Sequence, residues 1–228
     1  MRLSPFVYAS ALSMLLGGTA LSEPAPLKVV VTGFTNGQAI PDRYAYCIAD
    51  ENGTSQNGNN INPGITWSGA PEETKSFAVL VVDSEVPEDL SQAYRDDVTI
   101  AADAKRRDFY HWVLFNIPAT IHSIDEGANS TGISESGKPT GVTAYGTNGS
   151  NDYSAFKEVM MGGYDGPCPP FNDEKMHRYH FRVFALDTEN LDLPHNSNGA
   201  LVLDAMQSHI VAQGEVTGTY TTNKPLRQ

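Results

Sequence analysis

The sequence is poor in cysteine and in basic residues. Only two cysteines, Cys47 and Cys168, occur among 228 residues, which excludes a small fold held by several disulfides. Lysine and arginine number 15 against 27 aspartate and glutamate, so the formal net charge is −12. Because sequence-independent binding to nucleic acid depends on neutralising phosphates, this balance argues against nucleic acid as a partner. A small anion remains compatible with it, since a local pocket can oppose the global field.

Common catalytic and metal-binding patterns are also missing. The chain contains no Gly-x-Ser-x-Gly, His-x-x-x-His or Cys-x-x-Cys sequence, so we expect no cofactor and no metal. Two histidines with an aspartate keep a metal site open only as the minor alternative. A thiol triad of Cys168, His177 and Asp83 is disfavoured, because the flanking Pro167 and Pro169 leave no helix N-terminus to lower the pKa of the thiol.

The residues that are abundant indicate one strand-rich domain. Hydrophobic residues make up 40% of the chain, enough for a core, and glycine and proline are frequent at 20 and 14 residues. Strong helical periodicity is scarce, and we find no internal repeat and no linker that divides the chain. We therefore predict a single mainly β domain over residues 23–228.

The first 22 residues are typical of an export signal. Arg2 precedes an apolar stretch over residues 6–16 and small residues over 17–20, and the stretch is too short to remain as a membrane-spanning helix. We expect a signal peptide over residues 1–22 and a periplasmic or secreted mature protein. In an oxidising compartment, a disulfide between Cys47 and Cys168 and a pair of buried free thiols are equally open alternatives.

Three apolar runs predict the core strands. Residues 77–82 are apolar at every position and stop at Asp83, whereas residues 109–117 and 179–186 form the second and third core strands. Residues 84–108 read as a charged connection, and residues 119–153 as surface excursions. Residues 201–212 predict the best helix, with Asn198 as its N-cap and Gly214 as its stop, before a final strand.

Side chains alternate along a strand, and this places ionisable groups beside core residues. Asp83 has the parity of the apolar residues of its strand, as has His111 in the second strand. His177 and Tyr179 share the inward face of the third strand, whereas Arg178 and its neighbours of like parity point to the opposite face. If the first two strands are antiparallel neighbours, Asp83 and His111 meet at one sheet edge.

These four side chains predict a small cavity that binds an anion. Imidazoles and a phenol can donate hydrogen bonds to phosphate or carboxylate oxygens, and glycine-rich backbone such as Gly166, beside a stiff wall containing Pro169, can bring N–H groups to the same anion. The alternative is that each is a satisfied polar group of the core. That explanation suits one residue better than four at strand ends.

Three ordered motifs resemble the phosphatidylethanolamine-binding protein family, in its bacterial branch described as Raf-kinase-inhibitor-like. They are VVDSEVP, FYHWVLFNIP and GYDGPCPP followed by HRYHFRVFALD. Carried over by position, the resemblance assigns the pocket aspartate to Asp83, the pocket histidines to His111 and His177, and the pocket tyrosine to Tyr179. Ser84, Glu85 and Lys175 depart from the family motifs, where proline, aspartate and glycine stand.

The resemblance implies a large antiparallel central sheet packed with a second, smaller sheet and a few peripheral short helices, one of them near the C-terminus. It implies a ligand such as phosphate or phosphoethanolamine, a protein partner, transient contact with membrane lipid, and a homodimer. The family acts by binding or regulation, including inhibition of kinases or proteases.

Two other functions stay open from the residues themselves. A hydrolase or lyase would use His111 or His177 as general base, with Asp83 orienting the imidazole. A protein-interaction scaffold would carry a pocket that has lost its role, and its partner would bind elsewhere.

Overall fold

The computed structural model describes residues 25–130 and 132–227, and the expected signal peptide over residues 1–22 lies outside them. In the described part, no helix has the length and apolar character needed to cross a bilayer. Strands predominate there, with two α-helices and three short 3-10 turns. The strands are β1 (Ala25–Pro26), β2 (Lys28–Val31), β3 (Cys47–Ala49), β4 (Ser55–Asn57), β5 (Ile65–Ser68), β6 (Ser76–Pro87), β7 (Arg106–Pro118), β8 (Ser123–Ile124), β9 (Gly141–Val142), β10 (Thr147–Asn148), β11 (His177–Leu186) and β12 (Ile210–Tyr220); the helices are α1 (Tyr153–Lys157) and α2 (Gly199–Met206), and the turns are Asp42–Tyr44, Gln207–His209 and Lys224–Leu226.

A seven-stranded sheet forms the centre of the fold, in the order β1-β12-β11-β6-β7-β10-β9. Its long strands pair antiparallel, and only the short β1 runs parallel to its neighbour β12. A three-stranded sheet, β2-β5-β8, packs against one face. The predicted mainly β fold with a large and a smaller sheet, and a helix near the C-terminus, is confirmed.

Strand β6 is buried on both faces because a separate apolar cluster packs against each one. Phe77, Val79 and Val81 contact the core between the two sheets, whereas the alternate residues Ala78 and Leu80 contact the core beneath α2. Alternation along the strand therefore distributes one continuous apolar run between two cores.

The first two core strands extend further than the apolar pattern predicts. Strand β6 does not stop at Asp83, since Val86 and Pro87 still pair with Arg107 and Arg106 of β7. The register shifts between Asp83 and Val86, which marks a bulge at the polar end of the hairpin. Backbone pairing thus continues where the side chains have turned polar, and the connection shortens to residues 88–105.

The predicted helix over 201–212 is too long. Helix α2 ends at Met206, and Ile210 already belongs to β12, where it pairs with Leu186. Asn198 is the predicted N-cap, and its side chain accepts a hydrogen bond from the backbone N–H of Leu201. Gly214 lies inside β12 rather than ending the helix. A Cβ there would lie 2.3 Å from the carbonyl oxygen of Leu27, so close packing against the backbone of Leu27 explains the glycine.

Residues 119–153 are less peripheral than their composition predicts. They contain β8, β9 and β10, and Ile124 and Asn129 are buried. Asn129 accepts a hydrogen bond from the indole N–H of Trp112 at 2.8 Å, which gives this segment a partner in the core. Asn129 and Asn151 thus satisfy buried polar groups instead of marking a solvent-exposed loop.

The two cysteines form a disulfide, Cys47–Cys168, between residues 121 positions apart. The backbone N–H groups of Tyr46 and Cys47 both donate to the carbonyl of Pro167, at 2.9 and 3.0 Å. The Pro-rich turn is therefore held against β3 by a covalent bond and by hydrogen bonds.

Candidate functional site

A cavity of about 230 Å³ opens where β6, β7 and β11 carry their polar residues. Asp83 pairs with Phe109 on one side and with Tyr179 on the other, so the antiparallel register brings the predicted strand ends together. The cavity is bounded by Tyr46, Asp83, Val86, Leu90, Tyr94, Phe109, His111, Tyr153, Phe156, Lys157, Cys168, Pro169, Pro170, His177 and Tyr179.

His177 is held between two carboxylates at the floor of this cavity. Its Nδ1 lies 2.7 Å from Oδ2 of Asp83, and its Nε2 lies 3.2 Å from Oδ2 of Asp173. A carboxylate only accepts, so both ring nitrogens donate and the ring is an imidazolium. Burial by itself would lower the pKa of His177, but the charge of Asp83 and the hydrogen bonds to both carboxylates raise it to about 9.

The same charges act on the two aspartates. Burial favours a neutral Asp83, but the charge of His177 and its hydrogen bond lower the pKa of this carboxyl below its usual value. Asp173 also accepts two hydrogen bonds from Arg106, at 2.6 and 3.0 Å. A row of alternating charges therefore runs from the cavity floor towards the connection after β6. Across residues 25–130 and 132–227, no group of three His, Cys, Asp or Glu residues is arranged to hold a metal ion.

His111 has the opposite protonation state. Its Nδ1 lies 2.7 Å from the backbone carbonyl of Asp165, which only accepts, so Nδ1 carries the proton. Burial lowers the pKa of His111 against the opposing charge of Asp83. The ring is therefore neutral at pH 7, and its unprotonated Nε2 carries a lone pair.

Tyr179 is fully buried, and its hydroxyl finds no hydrogen-bond partner in the described part of the chain. Burial, followed by the negative charge of Asp83, raises the pKa of this phenol well above its usual value, so it remains a donor. An unpaired buried hydroxyl costs about 1–3 kcal/mol. A phenol that lines a cavity without a partner is the arrangement expected of a ligand contact.

Aromatic and apolar side chains form the walls. Tyr46 stacks on Tyr153 with ring centroids 4.9 Å apart, and Phe109 packs edge-on against Tyr153 at 5.2 Å. Phe156 continues this surface at the mouth and is 52% exposed. Lys157 also lies at the mouth, where its Nζ is 5.6 Å from the Tyr46 ring and 3.1 Å from Oε1 of Glu135.

A buried network fixes the segment that orients His111. Lys138 donates to the backbone carbonyl of Tyr164 at 2.6 Å and pairs with Asp165 at 2.7 Å. Asn60 and Asn151 donate to the two carboxylate oxygens of Asp165, at 2.7 and 2.8 Å. The carbonyl that sets the tautomer of His111 is thereby held in place.

Of the residues predicted from the sequence, Asp83, His111, His177, Tyr179 and Pro169 line the cavity, and Gly166 does not. The backbone N–H of Gly166 already donates to Asn60 at 2.7 Å, and its carbonyl accepts from the Tyr153 hydroxyl at 3.1 Å. A Cβ at this position would lie 1.9 Å from the carbonyl oxygen of Tyr44. Close packing therefore explains this glycine.

Several contributors were missed by sequence reasoning. Asp173 precedes His177 by four residues in the same polar run, but its contact depends on the turn that folds it back. Tyr46, Tyr94 and Tyr153 come from segments that read as loops. Only their aromatic character in otherwise polar stretches could have singled them out.

Residues 31–221 match the family described as Phosphatidylethanolamine-binding protein. The chain belongs to the phosphatidylethanolamine-binding protein family. This confirms the resemblance inferred from the three motifs. The chain is 32% identical to YbcL of Escherichia coli over 202 residues, covering 89% of this chain and 91% of YbcL.

Other relatives and solved structures agree with this membership. A protein of Methanothermobacter thermautotrophicus is 31% identical, covering 82% of this chain and 93% of its own length. The crystal structure of E. coli YbcL, described as a new member of the mammalian family, superposes with a TM-score of 0.64 at 28% identity, over 86% of this chain and 99% of YbcL. A homologue from Chlamydia trachomatis gives 0.58 at 26% identity, over 86% and 97%.

Proposed function

We propose that this member of the phosphatidylethanolamine-binding protein family binds a small anionic group, of phosphate or phospholipid head-group chemistry, in the cavity over Tyr179. The observation that carries the proposal is the buried Tyr179 hydroxyl without a partner in the described chain. The Tyr179 ring stacks beside the imidazolium of His177, with the two ring centroids 6.5 Å apart. A donor beside a neutralised ion pair, at the base of an apolar cavity, suits an anionic head with an apolar substituent.

We propose further that binding serves regulation outside the cytoplasm, as an inhibitor or effector of a kinase, protease or other partner. The expected export signal and the family membership support this part. In a hydrolase or lyase His177 could not be the general base, because both of its nitrogens already donate to carboxylates. His111 is then the one base left of the two considered, and its variant tests the enzymatic alternative.

The test is titration with inorganic phosphate and with phosphoethanolamine, followed by NMR signals of the histidine rings and of Tyr179. We expect saturable shifts of His111 and Tyr179, and about tenfold weaker binding by Tyr179→Phe, which removes the hydroxyl and keeps the ring. Tyr145→Phe, outside the cavity lining, is the matched control and should bind like the parent. Undisturbed His111 and Tyr179 signals at millimolar ligand would refute the proposal.

Catalysis is tested on the same variants. Ester and phosphoester hydrolysis that disappears in His111→Gln and persists in His180→Gln would replace binding by an enzymatic function. We expect the parent chain to show no turnover above that of His111→Gln.

A further inference from the structure

The hydrogen-bond polarity of the cavity floor determines which anions fit it, and this inference rests on the proposed function. His177 lines the floor, but both of its N–H groups are used by Asp83 and Asp173. The Tyr179 hydroxyl makes no hydrogen bond of ordinary geometry in the described chain, although the Asp83 carboxylate lies close to it, so it is the side-chain donor at the floor that can turn toward a ligand. A fully deprotonated oxyanion needs several donors, and these side chains supply one.

Two residues that line the same cavity carry acceptor atoms. Nε2 of His111 carries a lone pair, because the proton of this ring is on Nδ1 and is donated to the Asp165 carbonyl at 2.7 Å. Asp83 accepts one hydrogen bond at each carboxylate oxygen, from Glu85 N–H at 2.8 Å and from His177 at 2.7 Å, and each oxygen can accept another. A bare oxyanion oxygen against either acceptor would be repelled, whereas an O–H group would be bound.

The charges at the floor also disfavour a fully deprotonated anion. Asp83 and His177 neutralise each other, and at the mouth Lys157 is paired with Glu135. No charged side chain of the described lining has a positive charge without a partner. Burying a dianion there would cost far more than burying a monoanion, because nothing offsets the second charge.

We propose that the cavity selects phosphomonoesters in their singly protonated, monoanionic form over sulfates and phosphodiesters of the same charge. One phosphate oxygen accepts from the Tyr179 hydroxyl, and the P–OH group donates to Nε2 of His111 or to the Asp83 carboxylate. Sulfate monoesters and phosphodiesters, including intact phospholipids, carry one negative charge but no proton, so within the proposed chemistry the inference selects phosphate and the phosphoethanolamine head group over the intact lipid. These ligands would leave Nε2 of His111 and the Asp83 carboxylate without a donor, or would place a negative oxygen against them.

Three small probes separate these possibilities. Ethyl phosphate and dimethyl phosphate are isomers, and only the first retains an acidic proton as a monoanion; ethyl sulfate also lacks it. Calorimetric titration of the full chain at pH 5.5 places ethyl phosphate mainly in its monoanionic form, since the second pKa of a phosphomonoester is about 6. We expect ethyl phosphate to bind at least about tenfold more tightly than either other probe.

The pH dependence gives a second readout. Raising the pH to 8 removes the ligand proton, and we expect ethyl phosphate to lose at least about tenfold in affinity. The ionisable groups that surround His111 are Asp83 on β6, Tyr179 on β11, Tyr153 on α1 and Asp165 in the facing loop. Nitrogen-15 chemical shifts of His111 separate titration of this ring from loss of the ligand proton. The inference requires Nε2 to remain unprotonated in the complex.

A variant tests the role of the lone pair. In His111→Gln, an amide replaces the ring and can donate as well as accept, so the preference for ethyl phosphate over ethyl sulfate should fall to within about threefold. His180→Gln, on the opposite face of β11, should keep the full preference. If the His111 variant does not fold, the comparison of the three probes on the parent chain still decides.

The outcomes are distinct. Equal affinity for ethyl phosphate and ethyl sulfate, or a doubly protonated His111 in the complex, overturns the selectivity and leaves anion binding intact. Absence of binding by all three probes at millimolar concentration overturns both the proposed function and this inference.

Discussion

At the scale of single residues, the site depends on two histidines with opposite protonation states. His177 is charged because two carboxylates accept hydrogen bonds from its two N–H groups, whereas His111 is neutral because burial lowers its pKa, and the carbonyl of Asp165 fixes its proton on Nδ1. The same residue type therefore serves as a fixed positive charge and as a lone-pair acceptor within one cavity. Their neighbours, not their sequence context, assign these roles.

The raised pKa of His177 predicts a loss of stability in alkaline solution. A group whose pKa is higher in the folded than in the unfolded state stabilises the fold fully below the unfolded value of about 6.5, and this contribution is lost as the pH rises through about 9. Each pKa unit corresponds to about 1.4 kcal/mol. We expect the free energy of unfolding in urea to fall by a few kcal/mol between pH 6.5 and 9.

The control for this prediction is His177→Gln, whose unfolding free energy should change much less over that interval. Titration of the His177 ring by NMR in the parent chain gives an independent measurement. A midpoint near 6.5 would contradict the clamp by Asp83 and Asp173.

Alternation of side chains was sufficient to place Asp83, His111, His177 and Tyr179 around one space, because parity and antiparallel pairing are both local rules. It could not show that Asp173 occupies the second nitrogen of His177, since that contact arises in an irregular turn. The sequence therefore predicted which residues meet but not which of their atoms remain free for a ligand.

At the scale of elements, the connection over residues 88–105 forms one wall of the cavity through Leu90 and Tyr94. One side chain ties much of it down: the amide nitrogen of Asn172 donates to the carbonyls of Gln92 and Val98, each at 2.8 Å, and its oxygen accepts from Tyr94 N–H at 3.0 Å. The wall is thus attached to the segment that also carries Cys168.

Removing this amide should loosen the wall. Asn172→Ala deletes three hydrogen bonds, each contributing about 0.5–1.5 kcal/mol, so we expect hydrogen exchange over residues 88–105 to accelerate by about 10- to 100-fold. Mass spectrometry of peptides from this segment measures the effect. Asn190→Ala, which removes an exposed amide elsewhere, should leave the segment unchanged, and equal exchange in both variants would show that other contacts hold the wall.

The errors in element boundaries have a common physical cause. Ile210 continues the apolar spacing of α2, yet it pairs with Leu186 and extends β12 instead. Ser84–Pro87 look polar, yet their backbone continues β6. In both places, pairing with a distant strand outweighs the local pattern. The local sequence does not show which distant strand will pair with it.

At the scale of the whole molecule, the net charge of −12 opposes the proposed ligand. An anion approaching the cavity meets a repulsive field that extends about 30 Å at 10 mM salt and about 8 Å at 150 mM. Association should therefore become faster when salt is added, the reverse of the usual behaviour of a basic anion-binding protein.

We expect the association rate of ethyl phosphate, measured by NMR line shapes, to rise a few-fold between 10 and 150 mM salt. Lys157→Gln removes the positive charge at the mouth and should make this increase larger. A rate that falls with salt would mean that local positive potential, rather than the overall charge, controls approach.

The topology of the central sheet also determines when the cavity comes into existence. The His177–Asp83 contact joins residues 94 positions apart, and the Cys47–Cys168 link spans 121. Folds dominated by such non-local pairing form slowly, because the entropy cost of closing the loop precedes the stabilising contacts that offset it. The proposed ligand could bind only after segments about a hundred residues apart have met, so occupancy of the cavity would report that the central sheet has formed.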